Sequence, residues 1–479
     1  MKTDNRTPGK RPGAPCDGPD PPAAAGEPTP TLSMHLVRTL EQLRCAELPG
    51  SVVDKAKTCC LDFLAACLSA SGSKSAEIGL NVAIKMGRGN STLIGRHEKG
   101  SLLSAALYNG MIAHAEELDD SHRYVSGLHL SAVVIPAALA VAEERRLSGN
   151  EFITAVVCGY EAAARICRCI EQGHRMRGFH STGTVGPFGA CAAAGTALGL
   201  DAEQLVQAIG IAGSMGAGLF AFLDDGATVK HLHTGRASLD GLLAALAAQA
   251  GLTGPRAVLE AREGFFRAYA ESSDETPLLQ PFDGSYEIMN VYHKLHSACG
   301  HAFPAIDAAQ LLRAELRDPV WEVASIDVRT YRAASLLENR RPVSRQQARF
   351  SIPFLIALML TQGSVGRQEL LKVDLADPDL LGLAGKVAVR EDPEFQASFP
   401  RLRTAVVRLA TKDGREMTRR IDGPRGGPDN PVSFREIENK FISEASGPLG
   451  DRRTGLVLEG VKRLDKLESI ADWTAHLSA

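Results

Sequence analysis

The chain has 479 residues, of which 44% are hydrophobic, 23% charged and only 5% aromatic, with 46 glycines. That balance fits a globular protein and excludes collagen, coiled coil and wholesale disorder. Lys and Arg number 53 against 56 Asp and Glu, a net charge of −3, so the chain lacks the electrostatic footprint of a nucleic-acid binder.

Residues 1–30 hold eight prolines and four glycines and little to bury, which predicts a disordered tail. This stretch has no apolar segment of a secretory signal. Its Asp4, Asp17, Asp20 and Glu27 argue against a mitochondrial transit peptide. No run of about 18 apolar residues occurs, so no membrane span is predicted, and the expected location is cytoplasmic.

Helical signals begin near Ser33. Leu36, Leu40 and Leu43 form one stripe, and Val52, Ala56, Cys60, Phe63, Leu64 and Cys67 form another after the Pro49-Gly50 break. Ser131 to Glu144 reads as an Ala/Val-rich helix. Ser148-Gly-Asn-Glu151 reads as a capping box before the stripe Phe152, Val156, Tyr160, Ala163 and Cys167. Asp201-Ala-Glu-Gln204 is a weaker signal of the same kind. Gly235 to Gly251 is almost all Ala, Leu and Gly, small residues that let helix backbones approach closely. Six of the ten cysteines (59, 60, 67, 158, 167, 191) sit in such patterns and read as buried thiols in a reducing compartment.

The texture changes near residue 290. Ala324 to Tyr331 and Thr404 to Ala410 alternate as strands, as does Glu416 to Ile421. Asp413-Gly414 is a hairpin signal between the last two. Helices are predicted around Pro304–Ala314 and Ile352–Thr361. Gly423 to Pro428 is a linker, and residues 433–479 are helical again. The chain therefore reads as mainly α: a large all-helical domain built from both chain ends (31–290 and 423–479), with an inserted α+β lid over 291–422.

The sequence has no P-loop, no HExxH and no nucleophile elbow, since Ala212 stands where the elbow needs glycine. Ten of the thirteen histidines fall between His114 and His301, and four polar segments collect most of them. His114-Ala-Glu-Glu-Leu-Asp-Asp-Ser-His122, followed by His129, packs four carboxylates into five residues. It is either a solvated acidic turn or an acid/base cluster that requires cations or a metal nearby. Gly178-Phe-His-Ser-Thr-Gly183 is either an ordinary loop before a helix or a tight turn presenting His180. Lys230-His-Leu-His-Thr-Gly235 stands just before the small-residue helix, where its lysine either reaches solvent or binds an anion. Lys294-Leu-His-Ser-Ala-Cys-Gly-His301 lies at the change of texture, where ligand pockets commonly form. Cys299 and His301 lack two further ligands at zinc spacing. Together these segments suit a small polyacid, with cationic groups on its carboxylates and imidazole or carboxylate moving a proton.

These motifs, with Tyr108-Asn-Gly110, Leu128-His-Leu-Ser131 and Asn430-Pro431, give the chain a resemblance to the MmgE/PrpD superfamily. That group includes 2-methylcitrate dehydratases, cis-aconitate decarboxylases and iminodisuccinate epimerases. The resemblance runs from about residue 35 to 445 and rests on the order and spacing of the motifs rather than on any one of them. It implies the helical domain with inserted lid, a homodimer, and chemistry without a metal or organic cofactor. It also implies site residues: Glu117, Ser121, His129, His180, Lys230 and Lys294. The chain carries Cys299 where animal decarboxylases carry histidine, with His301 two positions on. Phe354 stands where a lid tyrosine is usual, and Glu117 where Asp is usual. The expected function is a cofactor-independent lyase on a small di- or tricarboxylate, a dehydratase or a decarboxylase. The alternatives are an epimerase, a non-catalytic homologue that binds a small acid, and a metal-dependent hydrolase using the acidic cluster.

Overall fold

Residues 30–317 and 319–478 are described by a computed structural model; apart from Pro30, the tail predicted over 1–30 lies outside the described residues. The apolar stripes become helices. α1 (Leu32–Cys45) buries Leu36, Leu40 and Leu43, and α2 (Gly50–Ala70) begins right after Pro49. From Cys59 onward α2 is buried on every side, as expected of a helix that is apolar all round. α3 (Leu102–His114) and α4 (Ser131–Arg145) follow. α5 (Gly149–His174) starts at the predicted capping box: Ser148 accepts from the Glu151 N–H, and the Glu151 carboxylate accepts from the Ser148 N–H. The weaker signal at Asp201 and Gln204 forms the same reciprocal cap.

α6 (Gly186–Leu198) and α7 (Val229–Gln249) complete the centre of this layer. Glycine sets how closely α7 can pack. A Cβ on Gly235 would lie 2.4 Å from the Leu107 carbonyl oxygen of α3, and one on Gly241 would lie 2.4 Å from the Pro187 carbonyl oxygen of α6. α7 begins six residues before Gly235, so Lys230 belongs to its first turn rather than to a preceding loop. No glycine or proline interrupts Val229 to Thr234, and the helix extends through them.

Residues from 292 onward build a second buried cluster. α8 (Phe303–Glu315) and α9 (Ile352–Gln362) supply its apolar helices. They accompany a four-stranded sheet of β1 (Val323–Thr330), β2 (Val387–Glu391), β3 (Ala405–Thr411) and β4 (Glu416–Ile421). The strand order is β2-β1-β3-β4, with β1 parallel to β2 and all other pairs antiparallel. The β3–β4 hairpin turns at Gly414, whose φ of 87° suits glycine. β2 carries no alternation signal, and its partner lies more than fifty residues earlier, so periodicity alone gave no hint of it. β4 is a polar edge, half-exposed along its length.

α10 (Phe434–Leu449) returns to α2 and buries Ile437, Phe441, Ala445 and Leu449 in the first core. The described chain is mainly α, with two apolar cores. One is built from segments within 32–291 and 437–477, the other from residues 292–409 with Phe222. No helix among the described residues is long and apolar enough to cross a membrane.

Candidate active site

The acidic segment leaves the end of α3 at His114 and folds inward, so Glu116, Glu117, Asp119 and Asp120 are all buried. Buried carboxylates need partners, and each has one. Glu116 pairs with Arg349. Glu117 accepts from the ammonium groups of both Lys230 and Lys294, the latter at 2.7 Å. Asp119 accepts from His114 Nδ1–H at 2.7 Å and lies 3.6 Å from Lys294. Asp120 accepts from the Tyr160 hydroxyl at 2.7 Å and the Ser131 N–H at 2.9 Å. The cluster is thus an ion-paired core rather than a solvated turn.

Burial and pairing compete in these groups. Burial would raise Glu117, but the two ammonium charges outweigh it and hold the carboxyl well below its usual range. Burial lowers Lys230 by more than Glu117 raises it. For Lys294 the balance reverses, because Glu117 and Asp119 both face it and keep it charged. Asp120 has no cation on it, and burial pushes it up to about 7.

Three imidazoles stand beside the cluster. His129 Nδ1 donates to the Asp120 carbonyl at 2.9 Å and lies 3.2 Å from Asp119. A carbonyl only accepts, so the proton sits on Nδ1. Burial keeps the ring neutral against the pull of Asp119, which leaves Nε2 with a lone pair. His114 has the same arrangement through Asp119, and burial pushes its pKa down to about 3. His180 follows the Gly178 turn (φ 89°) and lies 3.1 Å, Nδ1 to Nδ1, from His233. Its Nε2 is buried without a partner. His114, His129 and His180 bring three imidazole nitrogens within 4.8 Å of one another, and an imidazole nitrogen of His114 lies equally close to carboxylate oxygens of Glu117 and Asp119. Either set could hold a metal, though the charges of Lys230 and Lys294 beside them oppose a dication.

A small pocket is lined by Glu117, Ser121, His129, His180, Lys230, Cys299 and His301. Seven of the eight residues singled out from the sequence therefore share one wall. The eighth, Lys294, is fully buried behind Glu117. Ser121 spends its hydroxyl proton on the Leu128 carbonyl at 2.9 Å, closing the loop that carries His129. Cys299 keeps its proton, because burial and the nearby Glu117 carboxylate raise its pKa. His301 lies between the Tyr331 hydroxyl at 2.8 Å and the Ser126 hydroxyl at 3.1 Å.

Phe354 does not face this pocket. It is fully buried in the second core, so its missing hydroxyl takes nothing from the wall seen here. Phe350, four residues earlier, does line the pocket, with the Lys230 ammonium 5.1 Å from its centroid. Arg175, Arg403, Tyr292 and Phe220 also line the pocket, and no motif had marked them. They come from turns and from the ends of a helix and of strands, where neither periodicity nor spacing distinguishes them. Among the lining side chains are two arginines, the basic Lys230 and one carboxylate, Glu117. The wall thus carries excess positive charge in a small, partly apolar space.

Two family profiles match consecutive stretches of the chain, the MmgE/PrpD N-terminal domain over residues 34–277 and the MmgE/PrpD C-terminal domain over residues 296–463. A cis-aconitate decarboxylase of Aspergillus terreus is 25% identical over 465 residues, covering 92% of this chain and 94% of that protein. A cis-aconitate decarboxylase-like protein of Aspergillus oryzae is 25% identical over 94% of this chain and 98% of its own length. The cis-aconitate decarboxylase of Homo sapiens is 28% identical over 386 residues, 78% of this chain and 79% of its own.

Proposed function

The chain belongs to the MmgE/PrpD family, and on that premise we propose that it is a cofactor-independent lyase acting on a small unsaturated polycarboxylate, a decarboxylase of the cis-aconitate type. The observation that carries this reading is the charge of the pocket wall, where Lys230, Arg175 and Arg403 face a single carboxylate, Glu117. Such a wall suits a substrate with at least two carboxylates. The relatives' names favour loss of carbon dioxide over loss of water.

In this reading a substrate carboxylate competes with Glu117 for Lys230, the lysine that lines the pocket. The bond from a second carboxylate to its saturated carbon then breaks, and carbon dioxide leaves. The electron pair moves through the neighbouring double bond to give the enolate of the remaining acid. Ammonium groups in a dry site stabilise that charge without reorganising. The carbanion carbon then takes a proton. Lys230 and Cys299 carry protons at the wall and are the candidate donors, whereas neutral His129 holds its proton on Nδ1 against the Asp120 carbonyl and has none to give from Nε2. The sequence is redox-neutral and requires no electron acceptor.

Incubation of the purified chain with cis-aconitate, 2-methylcitrate and iminodisuccinate, followed by mass spectrometry in deuterated water, tests the reading. The expected result is loss of carbon dioxide from cis-aconitate, with one deuteron incorporated. Loss of water from 2-methylcitrate alone would make the chain a dehydratase. Exchange without mass loss would make it an epimerase. A homodimer belongs to the same proposal. The helix Lys74–Met86 supports it, with Ile78, Val82 and Met86 exposed at 46%, 41% and 41% along one stripe, and light scattering in solution is the check.

A further inference from the structure

Glu117 has φ 53°, a left-handed backbone that residues other than glycine rarely adopt. Its neighbour Glu116 is held by residues of the other core. The Arg349 guanidinium pairs with the Glu116 carboxylate and gives a second N–H to the Ala115 carbonyl at 3.1 Å. The Ser297 hydroxyl donates to the Glu116 carbonyl at 2.6 Å. Arg349 also reaches the pocket by two other routes. Its carbonyl accepts from the Cys299 N–H at 2.9 Å, and the next residue, Phe350, lies against Lys230. Arg349 and Glu116 are 4% and 6% exposed. A buried ion pair contributes little net stability, because desolvation offsets the attraction. Its directional contacts remain, and here they fix the backbone on one side of Glu117.

We propose that Arg349 is a positioning residue: by clamping Ala115 and Glu116 it holds Glu117 in the left-handed turn that directs its carboxylate onto Lys230 and Lys294. This rests on the reading that Glu117 and the two lysines form the substrate site. Arg349 touches no reacting atom and acts only through Glu117, Cys299 and Phe350. If the clamp is released, Glu117 leaves Lys230, and the buried amine then loses the charge that keeps it protonated.

The test uses the full chain and needs no substrate in its first arm. Acetylation of Lys230 by acetic anhydride at pH 8 is followed by mass spectrometry, with Lys412 as an exposed reference. In Arg349→Ala the relative rate at Lys230 is expected to rise at least fivefold. Glu117→Gln is expected to give the same rise, and the double variant no more than either. Arg349→Lys keeps a charge near Glu116 but loses the two-pronged geometry, so it should fall between. If Arg349→Ala does not fold, Glu116→Gln carries the same expectation. The second arm measures kcat and KM on the acid turned over by the wild type, with kcat expected to fall at least tenfold in the folded variant. Unchanged Lys230 reactivity, or additive effects in the double variant, would overturn the proposal. A wild type inert toward every acid would sink the lyase reading, while the acetylation arm would still judge Arg349.

Discussion

At the scale of single residues, two lysines share one carboxylate, and the outcome differs for each. Lys294 faces Glu117 and Asp119 and stays charged, whereas Lys230 is pulled down by burial. One ammonium is therefore a fixed charge and the other a potential proton donor. Asp119 has a comparable orienting role for His114 and His129, because it lies on the Nδ1 side of both rings; of the two, only His129 lines the pocket. His180 lines the pocket with an Nε2 that has no hydrogen-bond partner within the described residues. His180→Ala is expected to lower kcat by about 100-fold or more, the usual cost of losing an acid/base group. A purified variant with unchanged turnover would remove His180 from the chemistry. All these residues could be named from sequence motifs, but their partners could not. Nothing in the spacing of Glu116 and Arg349, 233 positions apart, links them.

At the scale of elements, α7 carries the site because its glycines let it lie deep against α3 and α6. Lys230 sits in its first turn, so any outward shift of the helix draws the ammonium away from Glu117. Gly235→Ala places a methyl group 2.4 Å from a backbone carbonyl of α3, which cannot give way as a flexible side chain could. Alanine would improve helix propensity by about 1 kcal/mol, but overpacking of this kind costs about 1–3 kcal/mol. The net expectation is a lower Tm and a weaker kcat, and a variant with unchanged melting would show that the two helices can separate freely. The helix periodicities, the capping boxes at Ser148 and Asp201 and the Asp413-Gly414 turn are all local signals, and all were legible in advance. β2 was not, because a parallel strand is specified by its distant partner rather than by its own sequence.

At the scale of the whole molecule, the pocket lies where the two cores meet, with Glu117, His180 and Lys230 from one side and Cys299, His301 and Phe350 from the other. Many titratable groups are buried there and around it, and this governs how stability responds to acid. Burial pushes His114 down to about 3, and His174, His231 and His293 down to about 4. Their unfolded values lie near 6.5. Between about pH 6.5 and 4 the unfolded chain therefore binds more protons, and stability falls as the pH falls. Above 6.5 this contribution is complete. Asp120, raised to about 7, acts in the opposite direction, its stabilisation being lost as pH rises from about 4 to 7, and burial raises Glu161, Asp240 and Glu444 in the same sense, but the histidines held down by burial outnumber these carboxyls. Urea denaturation is expected to give a lower midpoint at pH 5 than at pH 7.5. Equal midpoints would mean that these histidines are not buried neutral.

The sequence by itself determined the mainly α character, the positions of the helices and hairpin, and the set of polar side chains available for chemistry. Each of these depends on neighbours within a few residues, through periodicity, capping and turn preference. The tertiary structure decided which of those side chains face one another. It paired the acidic cluster with cations from distant segments, took Phe354 out of the pocket and put Phe350 in it. It also brought in Arg175, Arg349 and Arg403, which no local pattern marks. Ion pairs and buried hydrogen bonds join residues more than a hundred positions apart, and only the packing of helix on helix determines which ones meet.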